Sequence, residues 1–171
     1  LEAGLAAAAD IVLLPEIDYA IDAVARVCHE RETNQRYTVI CIGEGAKAQG
    51  ATLTVQNRVE GSFDPVRLGG VAHVLREQLQ PHLKSEVRAT VLGHVQRGGQ
   101  PTPFDRVLAT RFGHHAAQLV AAGRFGEMVT LRGSELCSVP MARVANQQRT
   151  IAPDHPLLLT AREIGVSLGE A

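Results

Sequence analysis

An α/β fold, with a mainly parallel sheet and helices on both faces, is what this sequence predicts, and three observations carry it. Short apolar runs at residues 10–14, 37–42 and 87–92 alternate with stretches whose apolar residues recur at helical spacing. These runs are apolar at nearly every position rather than at every second one, as in strands covered on both sides. No segment repeats another and none is of low complexity, so the alternation belongs to one domain spanning residues 1–171, a length typical of domains.

In order along the chain, residues 1–9 read as the last turns of a helix and 10–14 as a strand stopped by Pro15-Glu16. Ile17, Ile21, Val24, Ala25 and Cys28 then repeat as on one helix face, and 37–42 is a buried strand ended by Gly43-Glu44-Gly45. The pattern weakens from 51 to 64, which reads as a loop or frayed helix. A helix is expected from Val66 to about His82, and a strand at 87–92. Residues 96–101 form a glycine-rich loop, and 103–122 the longest helix. Thr102 can cap it, Pro103 suits its first position, and Asp105 complements the positive end of its dipole. Its apolar face is expected to be Phe104, Val107, Leu108, Phe112, Ala116, Leu119 and Val120. Strands at 127–131 and 135–139 precede a last helix near 156–164.

Composition excludes several classes. With 45% hydrophobic and 20% charged residues the chain is too apolar to be disordered. Its 17 basic and 18 acidic residues leave a net charge of −1, with no long-range field for nucleic acid or an anionic membrane. The longest apolar stretch, 5–14, is interrupted by Asp10 and falls well short of the roughly 20 residues that span a bilayer. Cys28, Cys41 and Cys137 are odd in number and lack metal-ligand spacing, which reads as a reducing cytoplasm rather than a disulfide framework. Leu1 stands in a helical run without methionine, N-cap or basic leader, and is read as a cut end.

The densest cluster of chemistry is the segment from Arg88 to Gly99. His94 and Arg97 can donate to sugar hydroxyls or a phosphate, and Gly98 and Gly99 let backbone approach a ligand. An incidental polar turn is the plain alternative. Glu44, between two glycines, can accept from sugar hydroxyls or stand as a solvated loop carboxylate. In an open α/β sheet both loops are expected beyond the carboxyl ends of the strands, on one edge. Arg88 stands six residues before His94, about 20 Å away if the strand rises roughly 3.3 Å per residue. If both serve one kind of site, they serve two copies of it across a symmetric interface. The alternative for Arg88 is a surface ion pair with Glu86 or Glu60. His114 and His115 read as partly exposed helical residues. There is no G-x-x-x-x-G-K-[ST] loop, no metal cluster, and no adjacent acid and base suited to deprotonating a hydroxyl.

At RATVLGHVQRGG, followed by PTPFDRVLATRFG, the sequence resembles the phosphofructokinases. AGLAAAADIVLLPE, TVICIGEGAK and the closing AREIGVSLGEA resemble them too, so the likeness covers nearly the whole chain, with 49–83 the least distinctive part. The resemblance implies a phosphofructokinase-like C-terminal region. It implies transfer of a phosphoryl group to the 1-hydroxyl of fructose 6-phosphate, giving fructose 1,6-bisphosphate in glycolysis, with Mg2+ accompanying the donor. Carried over by motif, Glu44 binds the sugar hydroxyls, His94 and Arg97 bind the 6-phosphate and nearby sugar oxygens, and Arg88 reaches the neighbouring subunit's 6-phosphate. A homodimer or homotetramer with shared sites follows. Asp10 falls where allosteric bacterial members carry an acidic effector-site residue. The donor loops, the Thr-Ile-Asp segment with the catalytic base and the Met-Gly-Arg segment precede the position of Leu1 in the family and are not in this sequence. The chain alone is therefore expected to be inactive. ATP is placed first as donor, although Gly43-Glu44-Gly45-Ala46 looks more like the pyrophosphate-using and mixed branch. A non-catalytic sugar-phosphate-binding module is the remaining alternative.

Overall fold

A computed structural model describes residues 1–52, 55–58, 66–68 and 70–171, with backbone alone for the two short segments between 53 and 69. The described residues form two compact units, Leu1–Leu92 with Thr150–Ala171, and Gly93–Arg149.

The first unit is built on a central strand, β1 (Ile11–Leu13), which pairs in parallel with β2 (Ile40–Ile42); Ile11 lies opposite Ile40 and Leu13 opposite Ile42. The C-terminal tail closes the other side of β1. Val12 N–H donates to Ser167 O at 2.8 Å, and Ser167 N–H to Asp10 O at 3.0 Å. Because strand side chains alternate, Ile11 and Leu13 enter one core while Val12 and Leu14 enter another. The first core is completed by α2 (Ile21–Thr33) and α3 (Val71–Leu79), through Val24, Cys28, Leu75 and Leu79. The second is completed by α5 (Pro156–Glu163) and the tail, through Leu158, Ala161 and Leu168, with Leu5 of α1 (Glu2–Ala6) packed against it. Helices on both faces are why 11–14 is an unbroken apolar run. Among the described residues, close approach needs glycine at Gly4 and Gly169. A Cβ on Gly4 would lie 2.5 Å from Val12 Cγ2, and one on Gly169, whose φ is +74°, 2.7 Å from both Leu13 and Tyr19.

Three boundaries differ from those expected. The second strand begins at Ile40, not Tyr37, because Arg31 holds the Tyr37 carbonyl through Nε and Nη2 and leaves the Tyr37 ring exposed. Helix α2 begins at Ile21, not near Ile17: residues 14–17 close a turn, and Tyr19 bridges to Ala48 in extended geometry. The stretch expected as a loop or frayed helix contains β3 (Val55–Arg58), which pairs antiparallel with β4 (Val66–Leu68). Val66 is thus in a strand, and α3 starts at Val71 behind Gly70, whose φ of +83° turns the chain into the helix. Residues 53, 54, 59–65 and 69, which the same expectation covered, lie outside the described residues.

The larger correction is at 87–92, which forms no strand. A strand exists only with a ladder partner, and none stands beside this segment among the described residues. Val91 and Leu92 are 53% and 60% exposed.

In the second unit, α4 (Pro103–Ala121) starts as expected. Thr102 Oγ1 accepts from Asp105 N–H, and the Asp105 carboxylate accepts from Thr102 N–H, forming a capping box. The helix packs against an antiparallel hairpin, β5 (Glu127–Arg132) and β6 (Glu135–Pro140), with Arg132 opposite Glu135 and Gly133 at φ +62° in the turn. Of the expected apolar face, Leu119 alone is fully buried, whereas Phe104, Val107 and Val120 are exposed. The α/β class stands: one parallel pair and two antiparallel pairs alternate with helices. No helix among the described residues is long and apolar enough to cross a membrane.

Candidate functional site

Glu44 stands just beyond the carboxyl end of β2, the usual ligand-binding position in such sheets. Gly43 N–H donates to Leu13 O, and Ala46 N–H to Gly43 O, both at 2.9 Å. This tight turn buries Ala46 and leaves Glu44 exposed. The end of β1 lies alongside, where Glu16 Oε1 accepts Ile151 N–H at 2.9 Å and pins the returning chain to the strand end. The sequence had shown Glu16 only as part of a strand stop; its partner is 135 residues away.

Arg88 lies on an exposed, non-helical segment, its guanidinium 2.8 Å from Glu86 Oε2. The pair is the surface contact weighed from sequence. Arg88 holds the Glu86 carboxyl below its usual range, while Glu86 raises Arg88. At 82% and 68% side-chain exposure such a pair contributes little stability, so Arg88 can exchange Glu86 for an incoming anion at small cost. Because 87–92 is not a strand, the separation reckoned from strand rise does not apply to Arg88 and His94.

His94 and Arg97 belong to the second unit, in a 3-10 turn, Gly93–Arg97, closed by Gly98 N–H donating to Val95 O at 2.9 Å. Residues three apart in a 3-10 turn share a face, which puts these two on one side of the turn. Both are exposed. Gly93 and Gly99 take φ of +53° and +106°, conformations that suit glycine and let the turn present its backbone. Glu44 and Arg88 lie in the first unit.

Two further polar networks went unseen in the sequence. Asp10 is engaged through both carboxylate oxygens: Oδ1 meets Arg31 Nη2 at 2.8 Å and Oδ2 accepts Val39 N–H at 2.8 Å. It therefore ties β1, α2 and the approach to β2 together. In the hairpin, Glu127 receives the Ser138 hydroxyl and both Arg124 Nε and Nη2, at 2.8 and 2.6 Å. Those donors, the Ser138 hydroxyl foremost, hold its carboxyl below the ordinary range. Arg124 and Glu127 are three apart, a spacing visible in sequence, but Ser138 is brought in by strand register alone.

The family model described as Phosphofructokinase matches residues 1–120. The chain therefore belongs to the phosphofructokinase family. Among individual relatives, it is 39% identical to the ATP-dependent 6-phosphofructokinase 2 of Clostridium perfringens, over 99% of this chain and 47% of that protein. It is 40% identical to the ATP-dependent 6-phosphofructokinase of Chloroflexus aurantiacus, over 99% and 46%. It is also 40% identical to the pyrophosphate–fructose 6-phosphate 1-phosphotransferase of Amycolatopsis methanolica, over 90% and 45%. The chain thus spans about half the length of the curated relatives it matches. Among solved structures, a pyrophosphate-dependent phosphofructokinase from Nitrosospira multiformis is similar in fold, with a TM-score of 0.60 at 20% identity, over 84% of this chain and 35% of that one.

Proposed function

We propose that residues 1–171 form the sugar-phosphate-binding part of a 6-phosphofructokinase that phosphorylates the 1-hydroxyl of fructose 6-phosphate. What supports this is the spacing of His94 and Arg97 three residues apart in one glycine-flanked 3-10 turn, in a chain of the phosphofructokinase family. In this reading His94 and Arg97 donate to the 6-phosphate and adjoining sugar oxygens, and Glu44 accepts from sugar hydroxyls. Arg88 leaves Glu86 for the 6-phosphate bound to a neighbouring subunit, which makes the working enzyme a homodimer or homotetramer. In this reading each group binds and orients the sugar phosphate. No cluster of three or more His, Cys, Asp or Glu suited to a metal occurs among the described residues. In this reading Mg2+ accompanies the phosphoryl donor.

ATP is the proposed donor. Pyrophosphate is the second reading, favoured by the Gly43-Glu44-Gly45-Ala46 turn and by a relative named for pyrophosphate that is as similar as those named for ATP. The test is fructose 6-phosphate binding to the intact protein and to its Arg88→Ala and His94→Ala variants, with turnover measured first with ATP and then with pyrophosphate. Each substitution removes a charge-assisted or polar contact to an anion and is expected to weaken sugar-phosphate binding roughly 10- to 100-fold. Unchanged affinity in both folded variants would leave the segment as scaffold or as a module without catalytic use. The donor that supports turnover names the enzyme.

A further inference from the structure

Two side chains from two helix ends hold the backbone just ahead of Arg88. Gln80, in the 3-10 turn that follows α3, donates through Nε2 to Ser85 O at 3.0 Å and accepts Val87 N–H through Oε1 at 2.9 Å. Its carboxamide therefore meets the carbonyl of one residue and the N–H of the residue two further on, the two groups that a single residue of a parallel strand engages. From the last turn of α2, the Glu32 carboxylate accepts Ser85 N–H through Oε1, and Lys84 N–H lies 3.4 Å from Oε2. Apolar contacts complete the hold. Leu83 and Val87 pack against the first core, while Glu86 and Arg88, on either side of Val87, are exposed. The segment joins no ladder among the described residues, so these side chains supply the partners that a sheet would have given it.

We propose that Gln80 and Glu32 are positioning residues for Arg88, fixing the backbone from which its guanidinium reaches an anion; this rests on the reading of Arg88 as a ligand of sugar phosphate. An arginine on a loose segment gives up backbone as well as side-chain freedom when it meets a phosphate, and that loss is subtracted from affinity. With 84–87 already bracketed, Arg88 exchanges Glu86 for the phosphate by moving its side chain alone. Neither Gln80 nor Glu32 touches the sugar phosphate in this arrangement; each acts through the backbone that carries Arg88.

The test measures the KM for fructose 6-phosphate, kcat and amide protection at Ser85 and Val87 in the intact protein. The variants are Gln80→Met, Glu32→Ala, Arg88→Ala, and Gln80→Met combined with Arg88→Ala. Gln80→Met keeps the length of the side chain and deletes both hydrogen-bonding groups. It is expected to lower protection at Val87 and to raise KM roughly 3- to 10-fold, the net worth of a hydrogen bond or two, with kcat within about twofold of wild type. Glu32→Ala, a change on a different helix, is expected to lower protection at Ser85 and to raise KM in the same sense. In the Arg88→Ala background, Gln80→Met changes KM no further, because the two residues act as one unit. If Arg88→Ala raises KM and Gln80→Met does not, the inference is overturned and the sugar-phosphate reading stands. Effects of Gln80→Met and Arg88→Ala that multiply in the combined variant also overturn it, since Gln80 then serves the fold at large. If Arg88→Ala itself leaves KM unchanged, the sugar-phosphate reading of Arg88 falls and the inference falls with it, whatever Gln80→Met does to protection at Val87.

Discussion

Arg31 carries more of this structure than its place near a helix end announces, because one guanidinium meets the Asp10 carboxylate and the Tyr37 carbonyl together. Removing one side of such a pair strands the other. Asp10→Ala is expected to leave Val39 N–H without its acceptor and Arg31 held by the Tyr37 carbonyl alone, and to loosen the approach to β2, read as faster amide exchange at Val39 and Ile40. Equal exchange in the variant would show the clasp to be idle. The three cysteines separate by burial. Burial is the main cause that pushes the Cys28 thiol above its ordinary range, whereas Cys41 and Cys137 are half-buried. Since the thiolate is the reactive form, Cys28 is expected to be labelled last by a thiol reagent under native conditions. Labelling of Cys28 as fast as the other two would contradict its burial. Composition had shown these to be thiols without a framework, but which one is shielded depended on where α2 packed.

At the scale of elements, α4 was the most legible part of the chain. Its cap, its first-turn proline and its acidic third residue are local signals, and local signals survive whatever surrounds them. Thr102→Ala is expected to cost about 1 kcal/mol of stability, measurable as a lowered denaturation midpoint, with Thr102→Ser close to wild type. The β5–β6 hairpin carries a pH dependence of known sign. The Ser138 hydroxyl and Arg124 lower the Glu127 carboxyl below its value in the unfolded chain. Its contribution is therefore fully present above the ordinary carboxylate range, near pH 4.3, and is lost as pH falls through the lower folded value. Protection of the hairpin amides, taken relative to the intrinsic exchange rate at each pH, should fall on acidification in wild type and change less in Glu127→Gln. A wild-type hairpin insensitive to acid would contradict the network. The strand expected at 87–92 failed for the opposite reason to the success of α4: β-branched composition permits a strand, but only a neighbour with free backbone groups makes one.

At the scale of the whole molecule, a tight constraint falls on the C-terminal tail. Gly169 sits at φ +74°, and a Cβ there would meet Leu13 and Tyr19 at 2.7 Å, while its carbonyl accepts Ala20 N–H at 2.8 Å. Gly169→Ala combines left-handed strain with overpacking and is expected to cost about 3 kcal/mol or more, seen as a large fall in the unfolding midpoint. A loss below roughly 1 kcal/mol would mean that the tail yields easily. Truncation before Ser167 is expected to be worse still, because β1 then loses a backbone partner on one side. The exposed apolar residues of α4, Phe104 and Val107 among them, are of the same kind as those found at protein–protein contacts.

The sequence by itself determined the α/β class, the capped helix, the buried strand at 11–13 and the family resemblance that singled out Glu44, Arg88, His94 and Arg97. Each of these rests on residue type and short-range spacing, which chemistry ties to local geometry. Tertiary structure alone decided that Asp10 is a clasp, that Glu16 anchors Ile151 and that Ser138 completes the Glu127 network. Those facts depend on segments tens of residues apart meeting in space, and on which backbone groups remain unpaired once they have met.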